Sequence, residues 1–462
     1  MIGELILVGG ALMALALGAS LVAGRLRVPV LFLFLVAGMA IGSDGLDWLH
    51  FDDYKLARDI GTVALVLIMF EGGLSTRTQE MFPVLWPAAS LSVLATLLTA
   101  VITGVVATGL FDLSLLEGLL LGSIVASTDA AAVFAQLRGS ALRPRLARML
   151  EGEAGSNDPV AILLVLGLIE WINVPDYGLG DMIVLFAKQL VIGGLAGLAI
   201  GLLGARLIRS LDLSSPGLYP VASLTVAAVA FGLPDTIGGS GFLAVYLAGL
   251  ALNASSIPAQ RTIEAFHEGL AWVAQLTLFL SLGLLVFPSQ LGSVAPEGIA
   301  LALVLALVAR PVASLAATAF ASLSWPERAL IGWAGLRGAV PVVLATFPVI
   351  AEVPHSLEFF NIVFFAVLVS LLLQGPTIEP LAERLGVTEP VGRVSRPVLE
   401  LGVLRELGAE VLEVEIGEDD AAVGARVRDL GLPRDAVVSL IVRGGEAVAP
   451  RGSTRLLAGD RL

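Results

Sequence analysis

Long apolar runs, separated by short polar loops, repeat along the first 385 positions of the chain. At about 20 residues per membrane crossing, thirteen runs are long enough to span: 4–24, 28–43, 58–75, 81–110, 115–137, 148–173, 181–209, 217–233, 238–254, 267–288, 296–323, 326–351 and 357–383. In the first run Glu4 is the only charge, and Arg25 and Arg27 come after it. A cleaved signal peptide places its positive charges before the apolar stretch, so this order reads as a first spanning helix. After position 385 the runs cease, and mixed charge alternates with short apolar stretches.

Charge then orients the array. With the N-terminus outside, the inner loops hold Arg25, Arg27, Arg77, Arg138, Arg143, Arg145, Arg148, Arg206, Arg209, Arg261 and Arg328. The outer loops carry Asp44, Asp47, Asp52, Asp53, Asp112, Asp176, Asp235, Glu297 and Glu352, with Lys55 and Arg58 as the basic exceptions. This is the positive-inside asymmetry, and it predicts a periplasmic N-terminus and a cytoplasmic C-terminus. Composition agrees: 57% of residues are hydrophobic and 15% charged, against roughly 25% charged in soluble domains. The lipid bilayer is therefore the first partner. The absence of cysteine excludes a disulfide scaffold, thiolate metal ligands and thiol catalysis, and His50, His267 and His355 are too scattered for a histidine-built centre. A net charge of −13 argues against nucleic acid as a partner.

A faint repeat organises the spans. Ala37-Gly38-Met39-Ala40 in segment two resembles Ala248-Gly249-Leu250-Ala251 in segment nine at an offset of 211, and Gly73-Leu74 matches Gly283-Leu284 at 210. Asp129 in segment five lands on Ala339, next to Gly338, in segment twelve at the same 210. Six helices, one connector and six more place two halves in opposite orientations. Inverted repeats with helices broken at corresponding places, here five and twelve, are a secondary-transporter signature.

Chemistry concentrates at those breaks. Ser127-Thr128-Asp129 interrupts segment five. Glu151-Gly152-Glu153-Ala154-Gly155-Ser156-Asn157-Asp158-Pro159 opens segment six, and Gly335-Leu336-Arg337-Gly338 cuts segment twelve. Arg310 lies deep in segment eleven, and Glu71 ends segment three. Charged groups inside a bilayer cost several kcal/mol and are as a rule paired and functional. On a helix Asp158 shares a face with Glu151, while Glu153 points about 140° away, so Glu153 can meet an arginine while Asp158 faces the broken segment five. One carboxylate shut off from bulk water can hold a proton or a small cation but not both, and trading one for the other moves no net charge. A ligand-gated cation channel and an organic-solute/proton carrier remain as alternatives. Gly178-Leu179-Gly180-Asp181 matches the GxGD pattern of intramembrane aspartyl proteases, but at the outer end of segment seven Asp181 reads more simply as an N-cap. No enzyme is expected.

The motifs at 127–134, 151–159 and 335–341 together resemble the NhaP/NHE-like branch of the monovalent cation:proton antiporters over 1–385, nearest to bacterial potassium/proton antiporters with a cytoplasmic tail. The resemblance implies exchange of K⁺ or Na⁺ for H⁺ across the inner membrane, with no cofactor. It makes Asp158 the ion- and proton-binding carboxylate and Asn157 its neutral neighbour. The monovalent cation would sit at Asp158 and Thr128, with Thr128 and Asp129 crossing the unwound segment five. Glu71 would stand on the cation's way in, Glu153 would pair with Arg337, and Arg310 would be a second arginine of open partnership. Ala154 stands where the family often has serine, which removes one candidate hydroxyl ligand. A bundle carrying segments five, six and twelve would move against a dimerisation bundle, making a homodimer the expected assembly. The stripe Gly193, Gly197 and Gly201 fits close helix contact.

The remainder reads as a linker over 386–408 and a small α+β module over 409–462. Within it, 411–416, 436–442 and 447–449 are expected as strands and 421–430 as an amphipathic helix. Gly424, Leu430-Gly431-Leu432-Pro433 and Ala458-Gly459-Asp460 resemble the TrkA-C (RCK C-terminal) fold, which implies a regulatory domain binding a small ligand or dimerising, with one more strand expected after Leu462. The fold class is thus an all-α polytopic membrane protein with a cytoplasmic α+β tail.

Overall fold

The structure is a computed structural model. It describes residues 30–389 apart from 50, 52, 77–80, 130–140, 212, 214, 256, 293 and 339, isolated positions before residue 30, and most of 414–462. Segment one, with Arg25 and Arg27, lies outside the described residues, as do His50, Arg77, Arg138 and the later half of the 127–134 motif. The chain divides into two compact units, Met1–Glu389 and Pro390–Leu462.

The first unit is helical. In chain order its helices of nine or more residues, among the described residues, are α1 (Val30–Ile41), α2 (Tyr54–Ser75), α3 (Leu85–Phe111), α4 (Leu115–Ile124), α5 (Pro144–Asn173), α6 (Leu179–Ser210), α7 (Leu218–Thr236), α8 (Gly241–Asn253), α9 (Gln260–Leu285), α10 (Ala295–Ala317), α11 (Trp325–Trp333), α12 (Val340–Ile350) and α13 (Ser356–Arg384). Among the described residues, α3, α5, α6, α7, α9, α10 and α13 are long and apolar enough to cross a membrane by themselves. Local chemistry sets the starts. Asp53 accepts the Lys55 and Leu56 amides ahead of α2, Ser114 and Glu117 form a capping box on α4, and Ser324 and Glu327 form another on α11. At α6 the N-cap is Gly178, not Asp181; Asp181 reaches back as the third helical residue and accepts the Gly178 N–H at 3.0 Å.

Three long helices carry a widened π turn: Leu91–Ala95 in α3, Leu305–Ala309 in α10 and Ser370–Gln374 in α13. Such turns insert one extra residue and re-aim the helix beyond them, and Arg310 is the residue directly after the second. Backbone approach elsewhere depends on glycine. Gly38 of α1 lies against Gly283 of α9, and Gly73 of α2 against Gly249 of α8, so close that a Cβ at any of the four would run into the neighbouring backbone. The stripe Gly193, Gly197 and Gly201 of α6 packs inside the protomer, on Ser240, Ala244 and Ala248 around α8.

Loop contacts sort into two sets. Arg145 donates to the Ser322 carbonyl at 3.0 Å, Arg143 to the Gly386 carbonyl at 3.0 Å, and the two-residue strands β1 (Ala141–Leu142) and β2 (Thr388–Glu389) pair antiparallel. Separately, Ser289 N–H donates to Asp44 at 2.6 Å, Asn173 to the Ala351 carbonyl at 2.9 Å, and His355 Nδ1 lies 3.0 Å from Glu117. The backbone N–H of Ser289 holds the Asp44 carboxyl below the usual carboxylate range, and the bond to Glu117 raises the His355 imidazole above its ordinary value. Each set joins only loops that alternation of the spans assigns to one side.

The second unit has a small core of Ile416, Ile441 and Leu456 beneath the hairpin β3 (Ile441–Arg443) and β4 (Glu446–Val448). Asp460 is fully buried there and accepts Arg443 Nε and Nη2 at 2.7 Å each, which holds its carboxyl low. The helix expected over 421–430 is instead a turn at 422–424 and a single 3₁₀ turn, Val427–Asp429. Gly424 at φ 82° and Gly431 at φ 63° take left-handed backbone that stops a helix on both sides. The strand expected over 436–442 shortens to β3, that expected over 447–449 lies one residue earlier as β4, and most of 411–416 lies outside the described residues.

Candidate ion-binding site

The site forms where two helices stop. After Ile124 the chain leaves α4 and runs non-helical through Ser127, Thr128 and Asp129; after Trp333 it leaves α11 and runs non-helical to Gly338 before α12 resumes at Val340. The non-helical segments cross, with the Asp129 N–H donating to the Leu336 carbonyl at 2.8 Å. A helix that ends inside a membrane leaves carbonyls without donors and a negative dipole end. Arg337 stands just beyond that end: its Nη1 donates to the carbonyls of Ala126 at 2.7 Å and Ser127 at 2.6 Å, in the segment that follows α4. Arg337 is itself held, its N–H donating to Ser370 Oγ at 3.0 Å, Ser370 donating to Gln374 at 2.7 Å, and Gln374 to the Trp333 carbonyl at 3.1 Å. On the other segment of the cross the Asp129 carboxylate occupies the space where a Gly338 side chain would stand, near the start of α12.

Helix α5 brings the acids to this crossing. Asn157, fully buried, donates from Nδ2 to Thr128 Oγ1 at 2.6 Å. Asp158 is half-buried, within electrostatic reach of Asp129 and beside Ser127, and its Oδ1 has no hydrogen-bond partner among the described residues. Pro159 has no N–H, so the Gly155 carbonyl one turn earlier lacks its helical donor. The Asp158 carboxylate and the Thr128 and Ser127 hydroxyls offer only oxygen, the kind of donor that suits a hard monovalent cation.

Glu153 leaves the other face of α5, and here the sequence-based pairing is corrected. Its partner is Arg310, not Arg337: Arg310 Nη1 lies 2.5 Å from Oε1, and Nη2 donates to Oε2 at 2.8 Å, with both residues about 1% exposed. The reason is geometric. Arg337 is occupied by carbonyls of the segment after α4, while the π turn in α10 delivers Arg310 to α5. Arg337 stays within electrostatic reach of both. Glu71, on α2, is grouped with Glu268 of α9. Sequence reasoning missed Ser127 as a neighbour of Asp158, and missed the Ser370–Gln374 support of Arg337, for which an isolated pair of polar residues in an apolar run was the available signal.

Comparison with known proteins gives the class. Residues 11–384 match the family described as sodium/hydrogen exchanger, transmembrane, and residues 411–462 match the TrkA-C domain. The chain belongs to the sodium/hydrogen exchanger family and carries a TrkA-C tail: it is a membrane transporter that exchanges monovalent cations for protons, and not an enzyme. More narrowly, it is 39% identical to the K(+)/H(+) antiporter NhaP2 of Shewanella sp. (strain MR-4), across 100% of this chain and 81% of that protein. It is 38% identical to the K(+)/H(+) antiporter NhaP of Alkalimonas amylolytica, across 96% and 78%. The fold is shared with the sodium proton antiporter MjNhaP1 of Methanocaldococcus jannaschii, at a TM-score of 0.71 and 23% identity over 83% of this chain and 99% of that one.

Proposed function

We propose that the chain exchanges K⁺, or less readily Na⁺, for H⁺ across a bacterial inner membrane by competition of cation and proton for Asp158. The carrying observation is the division of labour among the three acids at the crossing. Glu153 is matched by Arg310, and Asp129 stands near the start of α12, which leaves Asp158 to exchange its occupant. With Asn157 neutral beside it, one carboxylate trades one proton for one monovalent ion, and the cycle is electroneutral. The names of the two relatives at 39% and 38% identity support potassium.

The architecture in this reading has thirteen spans in two inverted six-helix repeats. The glycine contacts support it: the 210–211 offset carries Gly38 to Gly249 and Gly73 to Gly283, so the contact Gly38–Gly283 becomes Gly249–Gly73, the second contact present. A pseudo-twofold relation requires that exchange of partners. Glu71 and Glu268 stand on the cation's way in. The membrane domain covers 1–385, a linker 386–408, and a regulatory module 409–462 that binds a small ligand. The N-terminus is periplasmic, the C-terminus cytoplasmic, and the assembly a homodimer whose two bundles alternate access to Asp158.

The test is dequenching of a pH-sensitive dye in proteoliposomes on addition of K⁺, Na⁺ or Li⁺. Cation-driven proton movement that is indifferent to a voltage clamp and lost in Asp158→Asn is the expected result. Persistent exchange in Asp158→Asn overturns the site, and cation flux without proton coupling points to a channel.

A further inference from the structure

Glu151, Gly155 and Asp158 recur at three- and four-residue intervals and so share one face of α5. What covers that face one turn from Asp158 is an aromatic ring. Tyr246 of α8 lies over Gly155 so closely that a Cβ there would stand 2.5 Å from its Cε2 and 2.6 Å from Cζ and Oη. Real Cβ atoms do not approach carbon that closely, so the ring occupies the space that glycine leaves empty. Tyr246 is 5% exposed, its hydroxyl beside Thr76 at the end of α2 and in electrostatic reach of Glu151.

The two partners belong to different helix groups. Helix α8 packs on α2 and α6 through glycines 73, 193, 197, 201 and 249, whereas α5 carries the crossing of α4 with α11 and α12. Gly155 is on the side of Asp158 nearer the start of α5, where Arg143 and Arg145 lie. A second contact of the same kind lies toward the other side: a Cβ on Gly61 of α2 would stand 2.9 Å from both methyls of Val343 on α12. Each is a side chain seated on a glycine between the two groups, one on either side of the site.

We propose that Tyr246 is the gate on the Arg143 side of the ion site: its ring seated on Gly155 closes that passage to Asp158, and must leave Gly155 before an ion crosses there. The inference rests on the reading of Asp158 as the exchanging carboxylate. Tyr246 is a positioning residue that need not touch the ion; it controls from which side the ion arrives.

The chain has no cysteine, so Asp158→Cys can be labelled without background by a membrane-impermeant methanethiosulfonate applied to either face. Tyr246→Ala should raise the labelling rate roughly fivefold or more from the Arg143 side and leave the other side unchanged. Equal rates with and without the ring overturn the gate. In flux, Gly155→Ala should slow exchange about tenfold or more, since the added methyl and the ring cannot both fit. Adding Tyr246→Ala to it should bring the rate back to that of Tyr246→Ala alone. A double variant slower than Tyr246→Ala alone also overturns the proposal. The labelling arm requires only that position 158 be reachable, so exchange surviving in Asp158→Asn would remove the ion-site reading while leaving the gate to its own result.

Discussion

Arg310 and Glu153 meet inside helices that cross an apolar medium, each about 1% exposed and joined through Nη1 and Nη2 of the guanidinium. A buried pair of this kind contributes little net energy as a pair, because desolvation of two ions offsets their attraction, but removing one member strands the other. Arg310→Met alone should therefore lower unfolding stability by about 3–5 kcal/mol, while Glu153→Leu with Arg310→Met should recover most of it. Thermal unfolding in detergent measures both. If the double variant melts with the single one, the pair is held by more than mutual compensation. Arg337 differs from Arg310 in kind: it serves backbone carbonyls rather than a carboxylate. The two arginines are therefore not interchangeable, although both are buried.

At the scale of elements, the proposed ion site rests on two helices that end early and whose following segments cross. The crossing is narrow: Gly338 has no side chain because the Asp129 carboxylate fills that space. Gly338→Ala should displace the crossing and slow exchange about tenfold or more, while overpacking at a single methyl should cost no more than roughly 1–3 kcal/mol of stability. Dye dequenching beside a detergent melt separates the two effects, and unimpaired exchange in Gly338→Ala would show that the crossing tolerates movement. The breaks were legible in sequence because polar residues in an apolar run are costly and stand out. So were the spans of α5, α6, α9 and α13, and the glycine matches that become helix contacts. The partner of Glu153 was not legible. A π turn has no signature in an apolar run, so the added rotation that brings Arg310 to α5 is visible only in three dimensions. The tail helix failed for a related reason: its apolar spacing is helical, but Gly424 and Gly431 take left-handed backbone, and local conformation outweighs periodicity.

At the scale of the whole molecule, the question is which side each end of the exchange path faces. Two sets of loop contacts exist, one around Arg143, Arg145, Ser322 and Gly386 and one around Asp44, Ser289, Asn173 and Ala351. The first set carries the arginines and the second the acids, and on the proposed topology that asymmetry would put the first in the cytoplasm. The acidic face would then enrich cations outside, modestly at physiological ionic strength, because its charges are solvent-exposed. Asp176 lies among the acidic loops, and Ser210 and Glu383 among the basic ones; all three are exposed. Single cysteines there report orientation with no background, the chain having none of its own. An impermeant maleimide should label Asp176→Cys in intact cells, and Ser210→Cys and Glu383→Cys only in inverted vesicles. The reverse pattern would turn the molecule over and move the Tyr246 side of the path to the outside. It would leave the helix crossing and its carboxylate where they are, because loop parity fixes the two faces relative to each other, and charge alone decides which of them faces the cytoplasm.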